Sequence, residues 1–355
     1  MAWLAFFGGL VLLLIGAEFF VRGASRMAAA FGVPALVVGL TVVAFGTSAP
    51  EAAVGVQSVL QGESDIGLGN VIGSNIANVL LILGIASLIS PLPVATRVVR
   101  VDVPVMVGFS VLLWLLSLDG ALGRGNGILL LALAVIYNAW LVMAARRDAA
   151  RSGQGARPPG RPASSTAFIV AGFAAIVIGA GWLVGGAVQL AQAFGLSELV
   201  IGLTVVAIGT SMPEIATSVV AGLRGEQDIA VGNAVGSNVF NILLVVGLTA
   251  TLSPQPIVVN PQALTLDLPI MIAVAVACLP IFFVGYRIAR WEGLLFLFYY
   301  GAYTLYLILR ATEHQAMGSY AFVMSWFVIP LTVVTLAVFV YRSWRRGQPP
   351  ARVSG

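Results

Sequence analysis

Charged residues, histidine and cysteine are all scarce in this chain. Only 9% of its 355 residues are charged and none is lysine, whereas 59% are hydrophobic and the mean hydropathy is +1.01. A soluble domain of this length with so few charges would not stay dispersed in water. The composition therefore excludes an ordinary soluble protein and is typical of an integral membrane protein.

The single cysteine and the single histidine limit the kinds of metal site that this chain can form. Cys278 lies inside an apolar stretch, which excludes a disulfide framework and a thiolate metal site, and His314 lies in a short polar connection. A metal bound by this chain would be a hard cation held by oxygen atoms. The sequence has no P-loop or other nucleotide-binding motif, so we expect neither ATP-driven pumping nor a bound cofactor.

Apolar runs long enough to cross a bilayer recur along the whole chain. About 20 apolar residues span a hydrocarbon core of roughly 30 Å. The first run, Trp3–Val21, has no basic residues before it and is interpreted as a transmembrane helix rather than a signal peptide. The eleven predicted spans are 3–21, 36–60, 66–89, 102–118, 128–145, 166–194, 199–223, 229–252, 264–284, 293–309 and 320–341.

The arginine positions predict the orientation of these spans. If the N-terminus is outside, sixteen of the 18 basic residues fall on the cytoplasmic side, and only Arg124 and Arg310 fall outside. We therefore predict a multi-pass inner-membrane protein with its C-terminus in the cytoplasm. The predicted segments are a first half (1–145), a basic cytoplasmic linker (146–165), a second half (166–310), and an extra span with a tail (311–355).

The two halves are related in sequence. With a constant offset of 163 residues, Ile15–Pro91 aligns to Ile178–Pro254 without a gap, and Gly39–Glu51 matches Gly202–Glu214 at eleven of thirteen positions. Five predicted spans separate the copies, and an odd number forces them into opposite orientations. This is an inverted-topology repeat, which is typical of secondary transporters that bind their substrate between the repeats near the midplane.

Two acidic residues lie at equivalent positions of the repeated GTSxPE motif. Glu51 and Glu214 are each well inside an apolar span, where a charge costs about 2.5–3.5 kcal/mol. The preceding Pro50 and Pro213 lack an N–H and should break or kink each helix, freeing backbone oxygens. Two carboxylates balance one Ca²⁺, whose 6–8 oxygen ligands carbonyls, hydroxyls and amides can complete. The motif therefore predicts a divalent cation site; the alternative is a pair of kinked packing helices.

A polar stripe follows in the next span of each half. The stripe residues are spaced four apart on one face of a helix, beside GxxxG pairs that allow close packing. They are Asn70, Ser74 and Asn78 in the first half and Asn233, Ser237 and Asn241 in the second. We favour ion ligation for the stripe, whereas Asn75 and Asn238 point about 100° away and are expected to hold helices together.

The remaining charges in the spans are interpreted as structural. Glu18 and Arg22 are spaced i, i+4 and are expected to form an ion pair at the cytoplasmic end of the first span. Asp102 and Asp267 lie close to a proline near the start of a span, and we expect them to be helix N-terminal residues.

The paired GTSxPE and GNxxGSN motifs, in inverted halves, resemble the two alpha repeats of the sodium/calcium exchanger family, within the cation/calcium exchanger superfamily. The resemblance covers about residues 1–310. It implies an all-α fold with a ten-helix core of two inverted five-helix repeats, in which Ca²⁺ and Na⁺ compete for overlapping sites. The eleventh span lies outside that core.

Carried over position by position, the resemblance implies a set of metal ligands. For calcium these are Glu51, Glu214, Thr47 and Thr210. For sodium they are the same two glutamates with Ala44, Ser48, Ser74, Asn78, Ala207, Ser211, Ser237 and Asn241. Many exchangers of this family have Asp at the position of Asn241, so this site holds one acidic group fewer. That departure leaves open the coupling stoichiometry and the use of protons in place of sodium.

These observations together predict a transporter and not an enzyme. We expect secondary exchange of Ca²⁺ for Na⁺ across the cytoplasmic membrane by alternating access. A Ca²⁺/H⁺ antiporter is the alternative within transport. A cation channel or an intramembrane hydrolase is the alternative from another class, although an enzyme would need a base or metal ligands, and no histidine lies within a predicted span.

Overall fold

The fold is a bundle of apolar helices interrupted by short π-helical segments. The computed structural model describes residues 2–31, 33–60, 64–151, 162–193 and 207–345. In the first half the α-helices are α1 Ala2–Phe31, α2 Ala35–Val38, α3 Ala44–Thr47, α4 Ala49–Leu60, α5 Ser64–Ala77, α6 Gly84–Ile89, α7 Val103–Leu116 and α8 Arg124–Arg151. In the second half they are α9 Pro162–Ala193, α10 Ala207–Thr210, α11 Met212–Leu223, α12 Gln227–Phe240, α13 Gly247–Leu252, α14 Leu268–Phe283 and α15 Arg290–Ala311. Two more, α16 Met317–Val323 and α17 Ile329–Arg345, follow the repeats.

The π-helical segments join consecutive α-helices into single spans. They are π1 Gly39–Val43, π2 Asn78–Leu83, π3 Val98–Asp102, π4 Asn241–Val246, π5 Ala263–Asp267 and π6 Met324–Val328. Four of them form two pairs, one member in each half: π2 with π4, and π3 with π5. The repeat therefore extends to the interruptions in the helices.

The helices have the length and composition that a bilayer requires. Nine in the described ranges are apolar enough to cross a membrane, and the bent pair Ala35–Thr47 and Ala49–Leu60 makes a tenth. The predicted span 199–223 is described only from residue 207, so its first part lies outside the described residues, and Met212–Leu223 is a shorter apolar helix. The all-α polytopic architecture expected from the sequence is confirmed.

Four two-residue strands show how the halves interlock. They are β1 Leu92–Pro93, β2 Ala121–Leu122, β3 Ile257–Val258 and β4 Arg287–Ile288. β1 pairs antiparallel with β4, and β2 pairs antiparallel with β3, so each strand pairs with one from the other half. The connection between spans three and four thus meets that between spans nine and ten. Those two connections share a side of the membrane only if the halves are inverted.

Glycines spaced seven apart bring α1 and α9 into close antiparallel contact. They are Gly9, Gly16 and Gly23 on α1 and Gly172, Gly179 and Gly186 on α9. A Cβ on any of the six would lie within 3 Å of the backbone of the facing helix, so only glycine fits at this separation. The two sets are offset by 163 residues, which makes this contact a symmetric feature of the repeat.

Helices extend into both ends of the predicted linker, since α8 continues to Arg151 and α9 starts at Pro162. Asp102 and Asp267 directly precede α7 and α14, as expected, but a π-helical turn comes before each of these helices in the same span. The proline spacing did not indicate this turn. Asp102 is buried and forms an ion pair with Arg97, with Nε and Oδ2 3.6 Å apart.

The extra span Met317–Tyr341 packs on α15 through few polar contacts. The Tyr299 hydroxyl donates to Thr332 Oγ1 at 2.7 Å, and the Tyr320 hydroxyl donates to the Ala302 carbonyl at 2.6 Å. Most of its apolar side chains are exposed, which suits a helix that faces lipid.

The close contact between α1 and α9 predicts an unequal effect of two similar substitutions. In Gly179→Ala the new methyl would lie 2.5 Å from the backbone nitrogen of Leu13, whereas at Gly181 nothing lies within 4 Å. Overpacking of this kind costs about 1–3 kcal/mol. We expect Gly179→Ala to lower the melting temperature of the purified protein by several degrees, measured by fluorescence-detected size exclusion. Equal melting temperatures for Gly179→Ala and Gly181→Ala would contradict the packing described here.

Candidate ion-binding site

Two broken helices position the acidic residues. α3 ends at Thr47 and α4 begins at Ala49, with a bend of 40° between the two halves of the span. Ser48 at the break has ψ of 1°, and Ser211 between α10 and α11 has ψ of 8°. The break expected from each proline is confirmed, and it falls at the serine two residues earlier.

Each acidic residue lies in the first turn of the second helix of its broken span. Glu51 on α4 and Glu214 on α11 are both 0% exposed. The partial positive charge at a helix N-terminus stabilises a carboxylate there. The two carboxyl groups also interact electrostatically with each other. Two ionised carboxylates in a buried setting are unstable unless a cation compensates them or a proton neutralises one of them.

None of the four carboxylate oxygens has a hydrogen-bond partner among the described residues. The Thr47 hydroxyl lies near the Glu214 carboxyl, and Asn233 Oδ1 at 3.0 Å and the Ala44 carbonyl oxygen at 3.4 Å are also acceptors for its one proton. Buried carboxylates are normally hydrogen-bonded or bound to a metal. The site therefore has the polarity and the free acceptor capacity of a cation site.

Further oxygen atoms without hydrogen-bond partners in the described residues come from both halves in equivalent pairs. They are Ser48 Oγ with Ser211 Oγ, and Asn78 Oδ1 with Asn241 Oδ1. With the carboxylates they make eight buried oxygen atoms, four from each half. Hydroxyl and amide oxygens are also the neutral ligands that hard cations accept.

Hydrogen bonds across the repeats hold the first broken span against α12. The Thr47 hydroxyl contacts both Asn233 and Ser237 Oγ, the latter at 3.3 Å. Asn233 Nδ2 in turn donates to Ser218 Oγ at 3.0 Å and to the Glu214 backbone carbonyl at 3.4 Å. Asn233 thus links the two broken spans that carry Glu51 and Glu214. Its position in the polar stripe did not indicate these contacts.

Close helix contact makes these bonds possible. A Cβ on Gly232 would lie 2.8 Å from the Leu36 carbonyl oxygen, and one on Gly236 would lie 2.8 Å from the Ala44 Cβ. The second GxxxG pair therefore does what the sequence predicted, and lets α12 approach the first broken span.

Asn75 and Asn238, which lie off the polar stripes, were predicted to hold helices together. In the structure each of them accepts a hydrogen bond from a stripe asparagine of the other half. Asn78 Nδ2 donates to Asn238 Oδ1 at 3.0 Å, and Asn241 Nδ2 donates to Asn75 Oδ1 at 3.1 Å. These bonds join the halves symmetrically. The π segments that begin at Asn78 and Asn241 widen the helix there, and π-helical turns are frequent at functional sites.

Ten of the twelve predicted ligands are described with their side chains, and all ten are buried. They are Ala44, Thr47, Ser48, Glu51, Ser74, Asn78, Ser211, Glu214, Ser237 and Asn241. The side chains of Ala207 and Thr210 lie outside the described residues. No group of three or more His, Cys, Asp or Glu residues that could hold a metal occurs in the described ranges.

Glu18 lies outside this site. It is partly exposed and forms the expected ion pair with Arg22 at 2.6 Å, together with a second, bidentate pair with Arg224. The Arg224 contact links α1 to the connection after α11, and the sequence spacing did not indicate it. Because its charge is already compensated, Glu18 is a natural control for the two acidic residues of the site.

The inverted repeats, the broken spans and the oxygen-lined site define a secondary cation transporter. The family described as sodium/calcium exchanger protein matches residues 1–143 and 164–309. The chain therefore belongs to the sodium/calcium exchanger family, as its motifs indicated.

Individual relatives agree with this assignment. The chain is 40% identical over 276 residues to the inner membrane protein YrbG of Escherichia coli, covering 76% of this chain and 84% of that one. It is 34% identical to the sodium/calcium exchanger MaX1 of Methanosarcina acetivorans, covering 84% and 96%. Among solved structures, the sodium-calcium exchanger NCX_Mj superposes with a TM-score of 0.74 at 29% identity, covering 88% and 99%. This is a multi-pass inner-membrane protein of a transporter family, and the Ca²⁺/H⁺ alternative is not favoured.

The uncompensated carboxylates predict a specific effect on thermal stability. A bound ion stabilises the folded state by about 2.7 kcal/mol at one hundred times its Kd. We expect wild-type protein to gain stability when CaCl₂ is added, and Glu51→Gln or Glu214→Gln to lose that gain without a fall in the ion-free melting temperature. Glu18→Gln is the control and should keep the calcium response. A full calcium response in either site variant would contradict the assignment of these carboxylates.

Proposed function

We propose that this protein exchanges Ca²⁺ for Na⁺ through one site between Glu51 and Glu214. The observation that carries the proposal is the pair of buried carboxylates, contributed by two inverted repeats, that have no hydrogen-bond partner among the residues described. Their two charges balance one Ca²⁺. Sodium ions drawn to the same carboxylates would displace it, and competition at one site is what an exchanger requires.

Calcium is held by the carboxylates of Glu51 and Glu214 with the oxygens of Thr47 and Thr210. For Thr47, a hydroxyl that donates its proton to Asn233 Oδ1, 3.0 Å away, keeps lone pairs that can face a cation. A hydroxyl of this kind adds a ligand without adding charge.

Sodium shares the two glutamates and uses a wider set of neutral oxygens. That set is Ala44, Ser48, Ser74 and Asn78 from the first half, and Ala207, Ser211, Ser237 and Asn241 from the second. The partnerless oxygens of Ser48, Ser211, Asn78 and Asn241 support four of these assignments. The Ala44 carbonyl already accepts the Ser48 N–H at 3.0 Å, so it offers a cation only its second lone pair.

The neutral side chain of Asn241 limits the charge of the site. With Glu51 and Glu214 as its two acidic groups, the site is neutral with one Ca²⁺ or with two Na⁺. Each further sodium would add an uncompensated positive charge in a low-dielectric setting, which is costly. The amide at Asn241 thus favours fewer bound charges than an Asp at that position would.

Transport proceeds by alternating access around this site. In inverted-repeat transporters one bundle moves against the other while the site stays near the midplane. The broken spans supply backbone that lines the site, and such irregular backbone is tolerated at membrane depth where it meets a cavity or an ion. In this proposal residues 1–145 and 166–310 are the two halves of the transporter, residues 146–165 connect them, and residues 311–355 form an accessory span and tail.

The N-terminus faces outward and the C-terminus faces the cytoplasm in this proposal, because the arginines concentrate on one side. We expect cysteines introduced between residues 152 and 161 to react with a membrane-impermeant reagent only in inverted vesicles. The background is low because the only native cysteine, Cys278, is buried. Labelling of these positions in intact cells would reverse the orientation.

Reconstituted protein distinguishes sodium from protons as the driving ion. In liposomes loaded with sodium and diluted into sodium-free buffer, we expect Ca²⁺ uptake that persists when a protonophore collapses the pH gradient. The physical reason is that the site releases sodium as calcium binds to the same carboxylates. Uptake that ignores sodium and stops with the protonophore would instead support a Ca²⁺/H⁺ antiporter.

A further inference from the structure

Two chains of hydrogen bonds lead from the proposed ligands to buried methionines. In one, Asn78 Nδ2 donates to Asn238 Oδ1 at 3.0 Å, and Asn238 Nδ2 donates to Met106 Sδ at 3.2 Å. In the other, Asn241 Nδ2 donates to Asn75 Oδ1 at 3.1 Å, and Asn75 Nδ2 donates to Met271 Sδ at 3.5 Å. Each chain crosses between the halves, and both end at a fully or almost fully buried thioether.

The end of each chain determines its direction. A side-chain amide has one end that donates and one that accepts, whereas a thioether sulfur can only accept. Asn238 must therefore turn its NH₂ group towards Met106, which leaves its oxygen towards Asn78. Asn78 must then donate, and its own oxygen points away from Asn238, buried and without a hydrogen-bond partner where the structure is described.

We propose that Met106 and Met271, acting through Asn238 and Asn75, are positioning residues that orient the Asn78 and Asn241 amides. This inference rests on the proposed function, in which those two amide oxygens ligate sodium. A reversed amide would present its NH₂ group, with partial positive charge, to the cation. The methionines thus select the oxygen-inward orientation without touching the ion.

The two hydrogen-bond chains differ in how many acceptors fix the orientation of their middle asparagine. Asn75 Nδ2 also donates to the Asn238 backbone carbonyl at 3.4 Å, so a second acceptor supports its orientation. For Asn238 Nδ2, Met106 is the acceptor found in the described part of the chain. Loss of the sulfur should therefore disturb the chain from Met106 more than the chain from Met271.

Replacing each methionine by leucine tests the proposal with little change in volume. Such swaps usually cost less than about 1.5 kcal/mol of stability. We expect Met106→Leu to raise the sodium concentration for half-maximal Ca²⁺ efflux about threefold or more, since a neutral hydrogen bond is worth roughly 0.5–1.5 kcal/mol. Met271→Leu should raise it less, and the exposed Met143→Leu should leave it unchanged. Half-saturation by Ca²⁺ should change less than half-saturation by Na⁺, because Asn78 is not among the calcium ligands.

A double-mutant cycle shows whether Met106 acts through Asn78. Asn78→Ala alone should weaken sodium dependence, and adding Met106→Leu should then have no further effect. A further loss in the double variant would mean that Met106 acts by packing, and would overturn the proposal. Wild-type behaviour of Met106→Leu beside a weakened Asn78→Ala would overturn it too, while the ligand role of Asn78 stood.

The proposed function has a separate point of failure. If Asn78→Ala had normal sodium dependence, the Asn78 amide would not be a ligand. The positioning role of Met106 would then be wrong as well. Exchange through the two carboxylates has its own test, which is the loss of Ca²⁺ exchange that we expect in Glu51→Gln. Only normal exchange in Glu51→Gln and Glu214→Gln would refute the site itself.

Discussion

Two buried carboxyl groups without hydrogen-bond partners in the described part of the chain are the constraint on which the rest of the structure depends. Glu51 and Glu214 lie in the interior of a protein whose other charges are mostly near the ends of its spans. Negative charge in that position costs several kcal/mol and is tolerated only with compensation. Helix N-termini offset part of the cost, and a bound cation would offset the rest. An ionised site without a cation is the unstable state, which ion binding or protonation relieves.

The irregular helices follow from that requirement. A continuous helix uses all its carbonyls internally and offers an ion no backbone oxygen. The breaks at Ser48 and Ser211 place each glutamate at the start of a new helix, and the π segments after Ala77 and Phe240 redirect the asparagines. Glycines allow the spans that carry these groups to approach within backbone contact. Inversion of the repeat then assembles one site from two copies of the same motif.

Much of this architecture could be predicted from the sequence, because the signals involved are local or periodic. Apolar runs predict spans, and an offset of 163 residues over five spans predicts inversion. Proline beside Glu51 predicts a broken helix, and the structure places the break within two residues. Gly9, Gly16 and Gly23 also recur 163 residues later with the same seven-residue spacing, and this spacing is visible in the sequence.

Other features depend on three-dimensional neighbours and could not be predicted. The contact of Glu18 with Arg224 joins residues 206 positions apart. The off-stripe positions of Asn75 and Asn238 predicted that they join helices, but not which partners they have. Their bonds to Asn241 and Asn78 run between halves, and nothing in the spacing indicates that Met106 and Met271 end those chains. The π-helical turn that precedes Asp102 in its span has no distinct sequence signal.

The central claim is that one cation lies between the carboxylates of the two halves. The most direct test is an experimental structure of the protein with bound calcium or strontium, in which anomalous scattering locates the ion. The account predicts a single strong peak about 2.3–2.6 Å from oxygens of both Glu51 and Glu214. A peak coordinated by neither glutamate, with both carboxylates engaged only by protein donors, would contradict it.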